Sequence, residues 1–169
     1  AWMLGRTSVP LNYLLKGEDL EYVIDDAGLD TVITVGPMLE HFGPLPDAVK
    51  EIHLDQMSFK GLPPLRRAAK EVADGLAVLL YTSGTSGKPK GVMLSDDNLT
   101  ANVEQVREHA GFDASDVFLG VLPQFHSFGL TVLTLMPMTI GCKAVYTARF
   151  MPRRILELGC GTGNYSVAL

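Results

Sequence analysis

Between residues 18 and 27 the apolar positions Leu20, Val23, Ile24 and Ala27 fall on one helical face. Gly28 stands where a left-handed residue closes such a helix. Residues 31–35 are short and β-branched and read as a strand, and residues 51–54 read as another. Pro63 and Pro64 open a helical stretch that runs through Ala73 and stops near Gly75. Residues 76–81, Leu-Ala-Val-Leu-Leu-Tyr, are continuously apolar, as in a strand buried on both faces. After a glycine-rich loop, residues 91–94 read as a short strand. Ser95 is an N-cap with Asp96 and Asp97 in the first helical turn. Leu99, Val103, Val106 and Ala110 then share a face that Gly111 ends. Residues 117–122 are strand-like, 127–138 helical and 143–147 a strand.

Alternation of strand and helix patterns predicts an α/β fold built on a sheet. The 169 residues are 47% hydrophobic and 20% charged, enough for one domain with a core and too apolar for a disordered chain. A net charge of −5 argues against a nucleic-acid partner, since phosphate backbones draw basic patches. It leaves room for a nucleotide, which a few local donors hold. Cys142 and Cys160 make neither a disulfide framework nor a zinc spacing, so a reducing, cytoplasmic setting is expected. The longest apolar stretch, residues 128–140, is short for a bilayer and contains Pro137; it reads as a buried helix, with no transmembrane segment expected. The start at Ala1 shows no secretory pattern, and both ends read as cut, so a fragment is expected.

The chemistry sits in residues 81–91, Tyr-Thr-Ser-Gly-Thr-Ser-Gly-Lys-Pro-Lys-Gly. Gly84, Gly87 and Gly91 allow positive φ and close approach of a ligand to the backbone. Successive exposed N–H groups in such a turn form an anion nest. Thr82, Ser83, Thr85 and Ser86 add hydroxyl donors, and Lys88 and Lys90 add charge. A loop behind a buried strand lies at the sheet edge, where α/β folds take ligands. It is not a Walker loop: Thr82 stands where that pattern needs glycine, and Pro89 where it needs Ser or Thr. A plain flexible linker is the bland alternative, but it has no need of two lysines around a proline behind a buried strand.

The stretch LLYTSGTSGKPKGVMLS resembles the phosphate-binding signature of the adenylate-forming (AMP-binding) superfamily, which includes acyl-CoA synthetases, luciferases and peptide-synthetase adenylation domains. Leu122-Pro123-Gln124-Phe125-His126-Ser127-Phe128-Gly129-Leu130 resembles the family's proline-aromatic-histidine stretch beside the acyl pocket. Ser8-Val9-Pro10-Leu11-Asn12 and Asp25-Asp26-Ala27-Gly28 are similar too. The likeness spans about residues 1–154 and leans toward fatty-acyl-CoA synthetases. It implies a partial N-terminal domain of the ligase fold, with the lid domain absent. The implied chemistry is attack of a carboxylate, expected to be a fatty acid, on the α-phosphate of ATP, then transfer of the acyl group to coenzyme A. By the resemblance, Thr82, Ser83, Gly84, Thr85, Ser86, Gly87, Lys88 and Lys90 hold the ATP phosphates, with Mg²⁺ bridging phosphate oxygens and no protein metal site.

His126 reads either as a histidine packed between Phe125 and Phe128 or, by the resemblance, as a residue of the acyl pocket. His41, His53 and His109 read as surface or helix-end residues. Asp96 departs from the family, where His often follows the Ser or Thr; the extra carboxylate either weakens phosphate binding or caps the helix. No Tyr-Gly-x-Thr-Glu stretch, no Thr-Gly-Asp and no lid lysine is found, so these residues alone are expected to be inactive. Residues 155–169 read differently. Ile155-Leu156-Glu157-Leu158 followed by Gly159, Gly161 and Gly163 resembles the first motif of S-adenosylmethionine-dependent methyltransferases, an incomplete cofactor site here. Two rivals follow: a methyltransferase with an unrelated N-terminal extension, and a non-catalytic phosphate-binding or inert chimeric product.

Overall fold

The computed structural model describes residues 1, 4–15, 17–61, 75–82 and 87–147. The helix expected over 63–73 and the tail 155–169 lie outside them. The element order is α1 (Glu18–Asp26), β1 (Thr31–Thr34), α2 (Gly36–Phe42), β2 (Lys50–His53), β3 (Leu76–Thr82), β4 (Lys90–Ser95), α3 (Asp96–Ala110), β5 (Val117–Gly120), α4 (Ser127–Leu130), a π-helical turn (Thr131–Leu135), α5 (Met136–Ile140) and β6 (Lys143–Tyr146). The α/β expectation holds, and each predicted element inside the described residues is present within a residue or two.

The strands pair two by two among the described residues: β1 with β2, β3 with β4, β5 with β6. The first and last pairs are parallel, each joined across a helical segment. The middle pair is an antiparallel hairpin. A register shift between Leu76 and Val78 bulges β3, and both Ala77 and Val78 are fully buried there. Leu79 is half-buried, so burial on both faces holds for the strand's first half only. On its other edge β3 takes residue 8: the Ser8 N–H donates to the Ala77 carbonyl at 2.9 Å and the Leu79 N–H to the Ser8 carbonyl at 3.0 Å. The Thr7 hydroxyl donates to the Leu76 carbonyl at 2.7 Å.

α1 buries Leu20, Val23 and Ile24, the face its spacing predicts. Leu20 and Ile24 pack with Val32 and Leu45. α3 begins as its sequence dictates: the Ser95 hydroxyl accepts from the Asn98 N–H and the Asn98 side chain accepts from the Ser95 N–H, both at 3.1 Å. Gly111, at φ 69°, closes it. Leu99 packs with Ala77, Val78, Leu80 and Leu130, and Val103 packs with Phe118, Val132, Leu133 and Met136. Full burial of Met136 alone contributes roughly 1.5–3 kcal/mol.

The apolar run 128–140 is helical, as expected, but widens to a π-turn in the middle. Pro137, lacking an N–H, leaves the Leu133 carbonyl without its helical donor. The Tyr146 hydroxyl donates to that carbonyl at 2.6 Å, from β6. Tyr146 pairs with Gly120 across the parallel strands, and a Cβ on Gly120 would stand 2.3 Å from the Tyr146 ring. Gly120 thus makes room for the ring whose hydroxyl repairs the proline's defect.

Candidate functional site

The glycine-rich loop is the connection of the β3–β4 hairpin. Thr82 pairs with Lys90 and Tyr81 with Gly91 at its base. Residues 83–86 are outside the described part, so Ser83, Gly84, Thr85 and Ser86 keep their sequence-based reading. Thr82, Gly87, Lys88 and Lys90 are all exposed at the strand ends. Gly87 adopts φ 90°, a conformation L side chains rarely take, which accounts for glycine there. Gly91 is required for another reason: a Cβ would lie 2.8 Å from the Leu79 side chain and 3.3 Å from the Tyr81 ring. The Thr82 hydroxyl faces the Lys90 carbonyl at 3.5 Å, too long for a firm bond, which leaves it available to another acceptor.

Sequence reasoning missed the neighbours of this hairpin. The Tyr81 hydroxyl donates to Asp26 at 2.6 Å, and the Tyr22 hydroxyl donates to the same carboxylate at 3.3 Å. The Lys88 ammonium sits 4.9 Å from the centre of the Tyr22 ring. Burial, and then the hydrogen bond to Asp26, hold the Tyr81 phenol's proton on well above the ordinary tyrosine range. Tyr22 is raised by desolvation and by the Asp26 charge. The i, i+4 spacing of Tyr22 and Asp26 was the available signal, but nothing in the sequence tied α1 to residue 81.

Asp96 does not cap α3; Ser95 does, and Asp96 lies exposed in the first turn, where a carboxylate favours the helix's positive end. His126 is exposed, which rules out the packed reading between Phe125 and Phe128. It caps α4: its Nδ1 accepts from the Phe128 N–H at 3.3 Å, which in the neutral ring leaves the proton on Nε2. The His126 N–H donates to the Pro123 carbonyl at 3.1 Å. Gly129 lets that turn close, because a Cβ there would come 2.0 Å from the Pro123 oxygen. The N-terminal segment links both stretches: Ser8 lies on β3, and the Tyr13 ring meets Phe125 edge-on at 5.2 Å.

The other histidines stay apart from this region. His41 and His109 are exposed in the last turns of α2 and α3, as expected. His53 is a correction: it ends strand β2, half-buried, with Nε2 at 3.0 Å from Glu51, because the strand register turns it toward its neighbour two residues back. Cys142 is a free thiol, pushed up by burial. Gly159, Gly161 and Gly163 lie outside the described residues.

A hairpin that brings exposed Thr82, Gly87, Lys88 and Lys90 to the end of a largely buried strand belongs here to an α/β domain. The chain matches the AMP-binding enzyme family over residues 1–159, and it belongs to that family. It is 31% identical over 169 residues to the mitochondrial malonate–CoA ligase ACSF3 of Bos taurus, covering 93% of this chain and 28% of the relative. It is 33% identical over 160 residues to the sulfoacetate–CoA ligase of Cupriavidus necator, covering 86% of this chain and 31% of that one. Among solved structures, the ATP-bound MatB of Rhodopseudomonas palustris superposes with a TM-score of 0.71 at 26% identity, covering 87% of this chain and 31% of that one. The o-succinylbenzoate CoA synthetase of Bacillus subtilis bound to its acyl-adenylate intermediate gives 0.67 at 28% identity, covering 89% and 39%. The chain therefore spans about three tenths of the curated relatives' length. Among the described residues no helix is long and apolar enough to cross a membrane.

Proposed function

We propose that this chain carries the triphosphate grip of an ATP-dependent ligase that joins a carboxylic acid to coenzyme A through an acyl adenylate. The observation that supports it is the β3–β4 hairpin, with Gly87 at positive φ between exposed Thr82, Lys88 and Lys90. A bare carboxylate is a poor electrophile, and adenylation makes pyrophosphate and then AMP the leaving groups. Negative charge grows on the departing pyrophosphate in the first step. Thr82, Lys88 and Lys90 donate to those oxygens, and the backbone N–H groups of the loop add to the field. A magnesium ion bound with the nucleotide would supply further charge neutralisation on its phosphate oxygens, beside the donors of Thr82, Lys88 and Lys90.

His126 is proposed to face the acid, with its Nε2–H directed by the bond that Nδ1 accepts. The sequence favoured a fatty acid; the named relatives act on malonate and sulfoacetate. Titrating malonate and octanoate while following the His126 ring resonances decides which acid reaches that residue. Residues 1–154 are proposed as the ligase portion and 155–169 as a distinct methyltransferase-like tail, although the family match runs on to residue 159. The proposed compartment is the cytoplasm, on the two scattered cysteines.

Pyrophosphate titration tests the grip. Replacing Lys88 and Lys90 together with Ala is expected to weaken binding at least tenfold, since each charge-assisted bond contributes about 1.5–3 kcal/mol. Binding should also weaken as salt is raised. ATP and GTP should differ little, because the base-reading stretches are not among these residues. Equal affinity in the double variant would remove the loop as the site. With fatty acid or malonate and Mg-ATP, a polypeptide of these 169 residues is expected to release no pyrophosphate above a protein-free control.

A further inference from the structure

One carboxylate, Asp26, receives two phenols from different parts of the chain. Tyr81 reaches it from the end of strand β3 before the loop, at 2.6 Å, and Tyr22 from one helical turn back on α1, at 3.3 Å. Fixing the Tyr22 phenol fixes its ring, and that ring lies under the Lys88 ammonium at 4.9 Å. Lys88 makes no ion pair with any described residue, so its charge is not consumed inside the protein. A lysine carries large rotamer entropy, and a surface that narrows its positions lowers the cost of binding an anion.

We propose that α1 is a positioning element for the phosphate grip: Asp26 orients Tyr22 and Tyr81, and the Tyr22 ring holds the Lys88 ammonium at the mouth of the hairpin. This rests on the reading of the loop as a phosphate site. Asp26 and Tyr22 touch no phosphate. Tyr22 acts through Lys88, and Asp26 acts through Tyr22 and through the strand end that Tyr81 anchors. The geometry separates two roles of Tyr22: its hydroxyl serves Asp26 and its face serves Lys88.

The test is pyrophosphate binding by the full 169-residue chain and the variants Y22L, Y22F, D26A, K88A and Y22L/K88A. Y22L removes the ring and should raise Kd about two- to fivefold, the size of an exposed cation–π contact. Y22F keeps the ring and should recover most of that loss. D26A should fall between them. In the K88A background Y22L should add no further loss, because its only route to the ligand is gone. Tighter binding by Y22L would mean the ring parks Lys88 away from phosphate, and would overturn the proposal. So would an equal loss in both backgrounds, which marks a general structural defect. If K88A binds like the parent, the phosphate reading falls with it; if K88A weakens binding and Y22L does not, the positioning role alone falls. A direct readout guards against misfolded variants. The Lys88 side-chain methylene protons should show an upfield ring-current shift that Y22L abolishes and Y22F keeps, and its absence in the parent overturns the proposal.

Discussion

Replacing Gly129 with Ala tests how tightly the His126 turn is built. The glycine has an ordinary helical conformation, so the penalty is steric alone. The new Cβ would stand 2.0 Å from the Pro123 carbonyl oxygen, 2.7 Å from its carbon and 2.9 Å from the Leu122 oxygen. All three are backbone atoms, which cannot rotate aside as a side-chain end can. Relief requires the 122–123 backbone to retreat by about an ångström or more, at the upper end of the usual overpacking cost of 1–3 kcal/mol. The same retreat breaks the bond that the Pro123 carbonyl accepts from the His126 N–H at 3.1 Å, roughly another 1 kcal/mol. A total near 4 kcal/mol, with a urea slope of about 2–3 kcal/mol per molar, lowers the unfolding midpoint by about 1.3–2 M. Urea melts followed by circular dichroism measure it. Gly120→Ala is the control: the three nearest atoms to its Cβ all belong to the Tyr146 ring, the first at 2.3 Å, and it should cost less, mainly by releasing that hydroxyl from Leu133. A Gly129→Ala midpoint within about 0.2 M of the parent, or a larger drop for Gly120→Ala, would refute the reasoning.

Other outcomes follow from single contacts. Ser95→Ala removes the acceptor for the Asn98 N–H and should destabilise the chain by about 1 kcal/mol in the same melts. The Tyr81 phenol is held protonated above its unfolded value near 10, so the stability it contributes is complete below about pH 10 and declines as pH rises beyond it. Melts from pH 9 upward should show that decline, and Tyr81→Phe should flatten it. Residues 155–169 bring one glycine-rich loop without the acidic partner a methyltransferase uses, so calorimetry with micromolar S-adenosylmethionine should detect no saturable heat.

What the sequence determined by itself is local and periodic. Leu20, Val23 and Ile24 are buried where a 3.6-residue repeat puts them. Ser95 starts a helix and Gly111 ends it, since capping needs only neighbours in the chain. The loop's glycines, hydroxyls and lysines were legible as residue types gathered in one short segment. Tertiary structure decided what depends on distant partners. The pairing of β3 with β4 as a hairpin places Lys90 opposite Thr82, and no periodicity encodes that register. The bond from Tyr81 to Asp26 joins residues 55 positions apart and brings α1 to the mouth of the loop. The Leu133 carbonyl that Pro137 leaves without a helical donor is completed by a tyrosine from a later strand. His126 read as packed or, favoured by its place in the matched stretch, as pocket-facing, and it stands exposed at the turn that Pro123 and Gly129 close. Such contacts follow from the path of the whole chain, and a one-dimensional pattern records only the residues that make them possible.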